Sequence, residues 1–112
     1  MMKTAKHIEH QKWNEFLNEF SRQYGGCQVV VSLMSSHTVA LRRTGVAQFN
    51  GIWLEERDAH SPTIMITLEL SGNGLITHTI AAPTFVSWDE PQRVLFIELS
   101  DGSTELIQVR DH

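Results

Sequence analysis

The stretch WNEFLNEFSRQYGGCQVVVSL, residues 13–33, decides the fold because the spacing of its apolar side chains changes at the Gly25-Gly26 pair. Before the glycines, apolar residues recur every three or four positions, which is typical of a helix with one apolar face. We predict an amphipathic helix over residues 8–24 that ends at the glycines, because glycine readily adopts the left-handed conformation that closes a helix. The apolar stripe consists of Trp13, Phe16, Leu17, Phe20 and Tyr24.

After the glycines, apolar residues alternate with other types and β-branched residues dominate, as in β-strands. The clearest strand covers residues 63–70, and its turn, residues 71–74, leads directly into the next strand. Residues 38–56 read as one long interrupted strand or two short ones, since Gly45 and Asn50-Gly51 indicate either a bulge or a tight type I′ turn. Further strands are predicted over residues 27–33, 93–100 and 103–110. Residues 75–80 and 84–88, on either side of Pro83, form either one bent strand or a pair of strands.

Nearly all connections between these strands are short, and short connections join antiparallel neighbours. The sequence therefore predicts an α+β fold, with an N-terminal amphipathic helix packed on a six-stranded antiparallel β-meander. The sheet could stay open or curl into a partly open barrel or roll. A chain of 112 residues without repeats or linkers is expected to form a single domain over residues 1–112.

Composition argues against several classes of partner. Nine Lys and Arg stand against 13 Asp and Glu, for a net charge of -4, so no excess of cations is available for a nucleic acid. The longest apolar runs are far below the roughly 18 residues of a membrane span, so no membrane partner is expected. Cys27 is the single cysteine and no apolar leader is present, which predicts a cytoplasmic protein. No cofactor-binding fingerprint occurs, and we predict no cofactor.

Short motifs follow one another along the chain: Trp13, Phe16 and Phe20-Ser21-Arg22 on the predicted helix, Gly45-Val46, Thr77-His78-Thr79-Ile80 with Pro83-Thr84, and Ser100-Asp101-Gly102 before the last strand. Their order resembles that in a family of short bacterial proteins classed as a domain of unknown function (DUF 5335), over nearly the whole chain. Two features depart from that pattern: Gly26-Cys27-Gln28 stands where an aromatic residue often follows the glycine, and this chain has His7 and His10. The resemblance implies a bacterial source and supports the fold, and it supplies no catalytic residue.

His7 and His10 are candidate metal ligands because they are three residues apart and would share one face of the helix if it extended that far. Such a pair supplies two ligands, whereas a zinc site needs three or four. We therefore expect surface histidines and predict no metal site.

His78 is a candidate site residue because strand alternation places it on the same face as Ile76 and Ile80. If that face is buried, the imidazole needs a hydrogen-bond partner, since an unpaired buried polar group costs about 1 to 3 kcal/mol. The two interpretations are a histidine satisfied by a neighbour on a partly covered strand and a histidine that lines a pocket.

Glu98 and Glu105 are candidates whose relation depends on the register of the last hairpin. A two-residue turn at Asp101-Gly102 would place them opposite each other as a carboxylate pair. A three-residue loop over residues 100–102 would shift the pairing by one, so that Glu98 faces Thr104 and Glu105 moves to the other side of the sheet. Like-charge repulsion modestly favours the second register.

No catalytic motif is present, and Trp53 and Trp88 lie near strand ends or turns, where large amphipathic rings often mark contact surfaces. We therefore expect a non-catalytic binding or protein-interaction module that docks a small molecule, a peptide or a second copy of the chain. The alternative is a small enzyme that uses His78 with a glutamate from the C-terminal hairpin. The sequence does not decide whether the protein is an enzyme, although it leans against one.

Overall fold

A computed structural model describes residues 5–35, 41–56, 62–71 and 74–110, and of residues 41–44 only the backbone. This part of the chain forms one α-helix and eight strands of a single antiparallel sheet, so the α+β class is as predicted and the expected number of six strands is too low. The elements are β1 (Ala5–Ile8), a 3-10 turn (His10–Lys12), α1 (Trp13–Tyr24), β2 (Gln28–Met34), β3 (Leu41–Glu55), β4 (Thr63–Leu70), β5 (Gly74–Ala81), β6 (Pro83–Asp89), β7 (Val94–Leu99) and β8 (Thr104–Val109).

The helix begins at Trp13 rather than at residue 8, because the segment before it belongs to the sheet. Ile8 pairs with Val86 of β6, and its carbonyl accepts a 2.9 Å hydrogen bond from the Trp13 indole nitrogen. The predicted end of the helix is correct. The glycine in the left-handed region is Gly26, with φ of 93°, whereas Gly25 has φ of -58°.

Over the described residues, β3 is one long strand and not two short ones. The alternative that Gly45 and Asn50-Gly51 left open is therefore resolved. The pairing of β3 with β2 shifts around Gly45, whose φ is 80°. The pairing with β4 shifts between Phe49 and Gly51, which leaves Asn50 as an extra residue. Both sequence signals therefore mark bulges and not turns. Residues 38–40 of the predicted segment lie outside the described residues.

The strands do not follow one another across the sheet as a single meander. Their order is β1-β6-β7-β8-β2-β3-β4-β5, so two meanders, β2–β5 and β6–β8, are joined by the pairing of β8 with β2. Strands β5 and β6 do not pair with each other, although only Ala82, with φ of 54°, separates them in sequence. The prediction of neighbouring consecutive strands is wrong at this corner because Ala82 and Pro83 redirect the chain.

The sheet curves back over itself without closing. Three strands separate β5 from β8 in the sheet, and yet His78 of β5 lies 3.0 Å from Glu105 of β8. Such a contact requires the faces of the two strands to approach each other. We call the concave face that carries both side chains the inner face, and the opposite face the outer face.

Helix α1 packs against β3 on the inner face, and its Phe20 ring contacts Trp88 of β6. Trp13, Leu17 and Phe20 are buried, as the apolar stripe predicted. The Ser21 hydroxyl donates a hydrogen bond to the Ile52 carbonyl and accepts one from the Ile52 amide, both at 2.8 Å. These bonds hold the helix to β3 just after the bulge. Within the described ranges, no helix has the length and apolar character needed to cross a membrane.

Candidate functional site

The curl of the sheet brings one predicted pair of site residues together. His78 Nε2 lies 3.0 Å from Glu105 Oε2, and we call the two residues the His78–Glu105 pair. The Glu105 side chain is only 5% exposed, whereas that of His78 is 41% exposed. In the sheet, Glu105 lies between Leu33 of β2 and Ile97 of β7. The carboxylate is therefore inside an apolar part of the inner face, and His78 lies between it and solvent.

The C-terminal hairpin adopts the three-residue register. Leu99 and Ser103 close the loop, since the Leu99 amide donates to the Ser103 carbonyl at 2.8 Å, and Gly102 has φ of 90°. Glu98 faces Thr104, so Glu98 lies exposed on the outer face while Glu105 is buried on the inner face. The carboxylate pair considered for Glu98 and Glu105 is therefore absent, and of these two glutamates only Glu105 reaches His78.

The hydrogen bond to Glu105 raises the pKa of His78 above its ordinary value of 6.5, because the carboxylate stabilises the imidazolium. Partial burial of the ring opposes this effect, and the Coulombic attraction of Glu105 adds to it. Glu105 Oε1 is buried and has no hydrogen-bond partner among the described residues. The arrangement can hold a proton on His78 and leaves one carboxylate oxygen able to accept a further hydrogen bond.

His7 and His10 do not form a helical pair. His7 belongs to β1, where its ring stacks on Phe85 with centroids 4.3 Å apart, and His10 belongs to the 3-10 turn, where its ring contacts Trp13. The expectation of one shared helix face fails because the helix starts after both residues. Within the described ranges, no group of three or more His, Cys, Asp or Glu side chains could hold a metal ion.

The two tryptophans proposed as contact residues have different environments. Trp88 is 9% exposed and packs edge-on against Phe20 in the core, with ring centroids 5.2 Å apart. The Trp88 ring therefore packs in the core beneath the helix. Trp53 lies on β3 opposite Met65 and is partly exposed.

Strand β5 lies at an edge of the sheet, where the predicted meander did not place it. It pairs with β4 along all eight of its residues and is the last strand in the sheet that the described residues form. Leu75 is 62% exposed and Ile76 is 37% exposed. The sequence signal was present, since residues 74–81 contain no Lys, Arg, Asp, Glu or Pro. The absence of these residues is significant because β5 is an edge strand, and the strand pattern alone did not give the order of the strands in the sheet.

Comparison with known proteins supports the fold and names no activity. No protein-family model matches the chain, and no curated protein matches it. Among solved structures, the crystal structure of Bacillus subtilis YojF protein is similar, with a TM-score of 0.61, 17% sequence identity and coverage of 98% of each chain. At this identity the similarity shows a shared fold.

Proposed function

We propose that this domain is a non-catalytic protein-interaction module that associates with a second copy of itself through the edge of β5. The observation that carries the proposal is an eight-residue edge strand that has no Lys, Arg, Asp or Glu and no proline. Proteins usually protect such edges with short strands, charges, bulges or proline. The opposite edge strand, β1, has four residues within the described part of the chain and carries Lys6.

The sequence of β5 favours a second copy as the partner, because the strand is self-complementary. A two-fold axis through Thr77 would place Thr77 opposite itself, Leu75 opposite Thr79, and Ile76 opposite His78. Cross-strand pairs of this kind are favourable, and no acidic or basic side chains of Asp, Glu, Lys or Arg would face each other.

Sedimentation velocity over a range of concentrations tests this proposal. We expect the unaltered protein to shift from monomer to dimer as its concentration rises. Thr77→Lys should remain monomeric, because the two-fold axis would place two cations side by side. Thr67→Lys is the matched control, since Thr67 lies opposite Thr77 on β4 but away from the edge. An unaltered protein that stays monomeric at the highest concentrations, or dimers of Thr77→Lys equal to those of the control, would contradict the proposal.

The 3.0 Å contact between His78 and Glu105 supports a second candidate function, a small enzyme. If Nε2–H donates to the buried carboxylate in the neutral ring, Nδ1 keeps its lone pair and could act as a general base. Hydrolysis of a p-nitrophenyl ester, measured for the unaltered protein and for His78→Gln, tests this function. Equal rates of ester hydrolysis for the two proteins would contradict the enzyme function.

The family resemblance, a bacterial source and a cytoplasmic location stay predictions from the sequence. Membership of the DUF 5335 family would be supported if further sequences related to this chain linked it to that family through the Ser100-Asp101-Gly102 and Thr77–Ile80 motifs.

A further inference from the structure

A groove on the outer face lies away from both the β5 edge and the His78–Glu105 pair. It has a volume of about 470 Å³ and runs over strands β1, β6, β7, β8 and β2. Small-molecule sites commonly have volumes of roughly 300 to 1,000 Å³. We call it the outer groove; Ala5, His7, Met34, Phe85, Ser87, Phe96, Glu98, Thr104 and Leu106 line it.

Aromatic and aliphatic side chains form most of the outer groove. The His7 ring stacks on Phe85 with an angle of 3° between the planes, so the short strand β1 supplies one wall. Phe96 lies opposite Leu106 across the pair of strands β7 and β8. Met34 is 47% exposed, and its flexible thioether side chain can adjust to the shape of a bound molecule. These surfaces would contact an apolar or aromatic body.

The polar groups of the outer groove indicate the sign of the charge on a ligand that it would bind. Among the described residues that line it, Glu98 is the one Asp, Glu, Lys or Arg, and it is exposed opposite Thr104. A carboxylate beside phenylalanine rings attracts an ammonium group, because the ring faces and the carboxylate are both negative. The net charge of -4 acts in the same direction.

We propose that the outer groove binds a small amphipathic amine, with an aromatic or branched alkyl body against Phe85, Phe96 and Leu106 and its ammonium group beside Glu98. This site is independent of association through β5. The apolar body is the part that fills the groove, and Glu98 selects the cation over a neutral or anionic analogue of the same size.

Titrations followed by two-dimensional amide NMR of the full chain test the proposal with three probes of matched size: 2-phenylethylamine, 2-phenylethanol and 3-phenylpropionate. We expect the amine to shift amide signals of β1, β6, β7 and β8 saturably. The alcohol should bind about fivefold more weakly, as expected for a partly exposed ion pair, and the carboxylate should bind most weakly. Amine binding should weaken as salt is added.

Glu98→Gln separates the counter-ion from the apolar contacts. Because Glu98 is exposed, this variant should fold, and its amide spectrum shows directly whether it does. Amine affinity should fall about fivefold in Glu98→Gln, while alcohol affinity stays unchanged. Glu69→Gln is the matched control, since it removes the same charge from an exposed position on β4 outside the outer groove, and it should keep full amine affinity.

Three results would overturn the proposal. The first is tighter binding of the alcohol or the carboxylate than of the amine. The second is equal amine affinity in Glu98→Gln and the unaltered protein. The third is a pattern of shifted signals that leaves out β6 and β7.

Discussion

Removing the His78 side chain should destabilise the protein in a pH-dependent way, because that side chain is hydrogen-bonded to the buried carboxylate of Glu105. In His78→Ala, Glu105 loses its hydrogen bond while it stays in an apolar environment between Leu33 and Ile97. Hydrogen bonds to charged groups contribute about 1.5 to 3 kcal/mol when buried, and exposed ion pairs about 0.2 to 1 kcal/mol. The half-exposed His78 lies between these cases, so we expect a loss of about 1 to 2 kcal/mol near pH 6.

The pH dependence follows from the raised pKa of His78 in the folded state. The stabilisation is complete below the unfolded value of 6.5 and is lost as the pH rises through the higher folded value. The difference in the free energy of unfolding between the unaltered protein and His78→Ala should therefore be largest near pH 6 and smaller at pH 9. Near pH 6 it corresponds to a lowering of the melting temperature by about 4 to 8 °C.

Urea unfolding at pH 6 and pH 9, followed by tryptophan fluorescence, measures these differences. Glu105→Gln should abolish the part of the pH dependence that comes from His78, since it removes the negative charge. Glu98→Gln should keep that pH dependence, because Glu98 lies on the outer face of the same hairpin. Equal free energies of unfolding for His78→Ala and the unaltered protein at both pH values would refute this reasoning.

Two further substitutions test how the helix is held to the sheet. Ser21→Ala removes both hydrogen bonds to the backbone of Ile52 and should reduce the free energy of unfolding by about 1 to 3 kcal/mol, whereas Asn18→Ala, at an exposed position on the same helix, should change it little. Equal effects in urea unfolding would show that the Ser21 bonds contribute nothing. Gly25→Ala should destabilise by about 1 to 3 kcal/mol, because a Cβ there would lie 2.8 Å from the backbone carbonyl oxygen of Ser21. A melting temperature equal to that of the unaltered protein would show that the backbone relaxes freely.

Local patterns predicted most of the elements because each depends on neighbours in sequence. The apolar stripe predicted the burial of Trp13, Leu17 and Phe20, and strict alternation gave the bounds of β4 at Thr63 and Leu70. The predicted start of the helix at residue 8 was wrong because the backbone of Ile8 pairs with β6, far along the chain. Nothing within residues 5–8 indicates that partner.

The order of the strands could not be predicted from short connections alone. The one-residue link at Ala82 looks like a tight connection between neighbours, but it takes the chain from one edge of the sheet to the strand beside the other edge. The sequence indicated His78 and Glu105 as candidates without a choice between Glu98 and Glu105 as the partner of His78. That choice depends on the register of the last hairpin, for which two turn types were open, and on the curl of the sheet, which is a long-range property.

The sheet curls far enough for the edge strand β5 to contact β8, and the His78–Glu105 pair depends on that curl. Nuclear Overhauser spectra of the isotope-labelled protein test it most directly, through cross-peaks from the His78 ring protons. The structure predicts cross-peaks to the side-chain protons of Glu105. Cross-peaks from the His78 ring to Ile66 of β4 and to its own strand, with none to β8, would contradict a curled sheet.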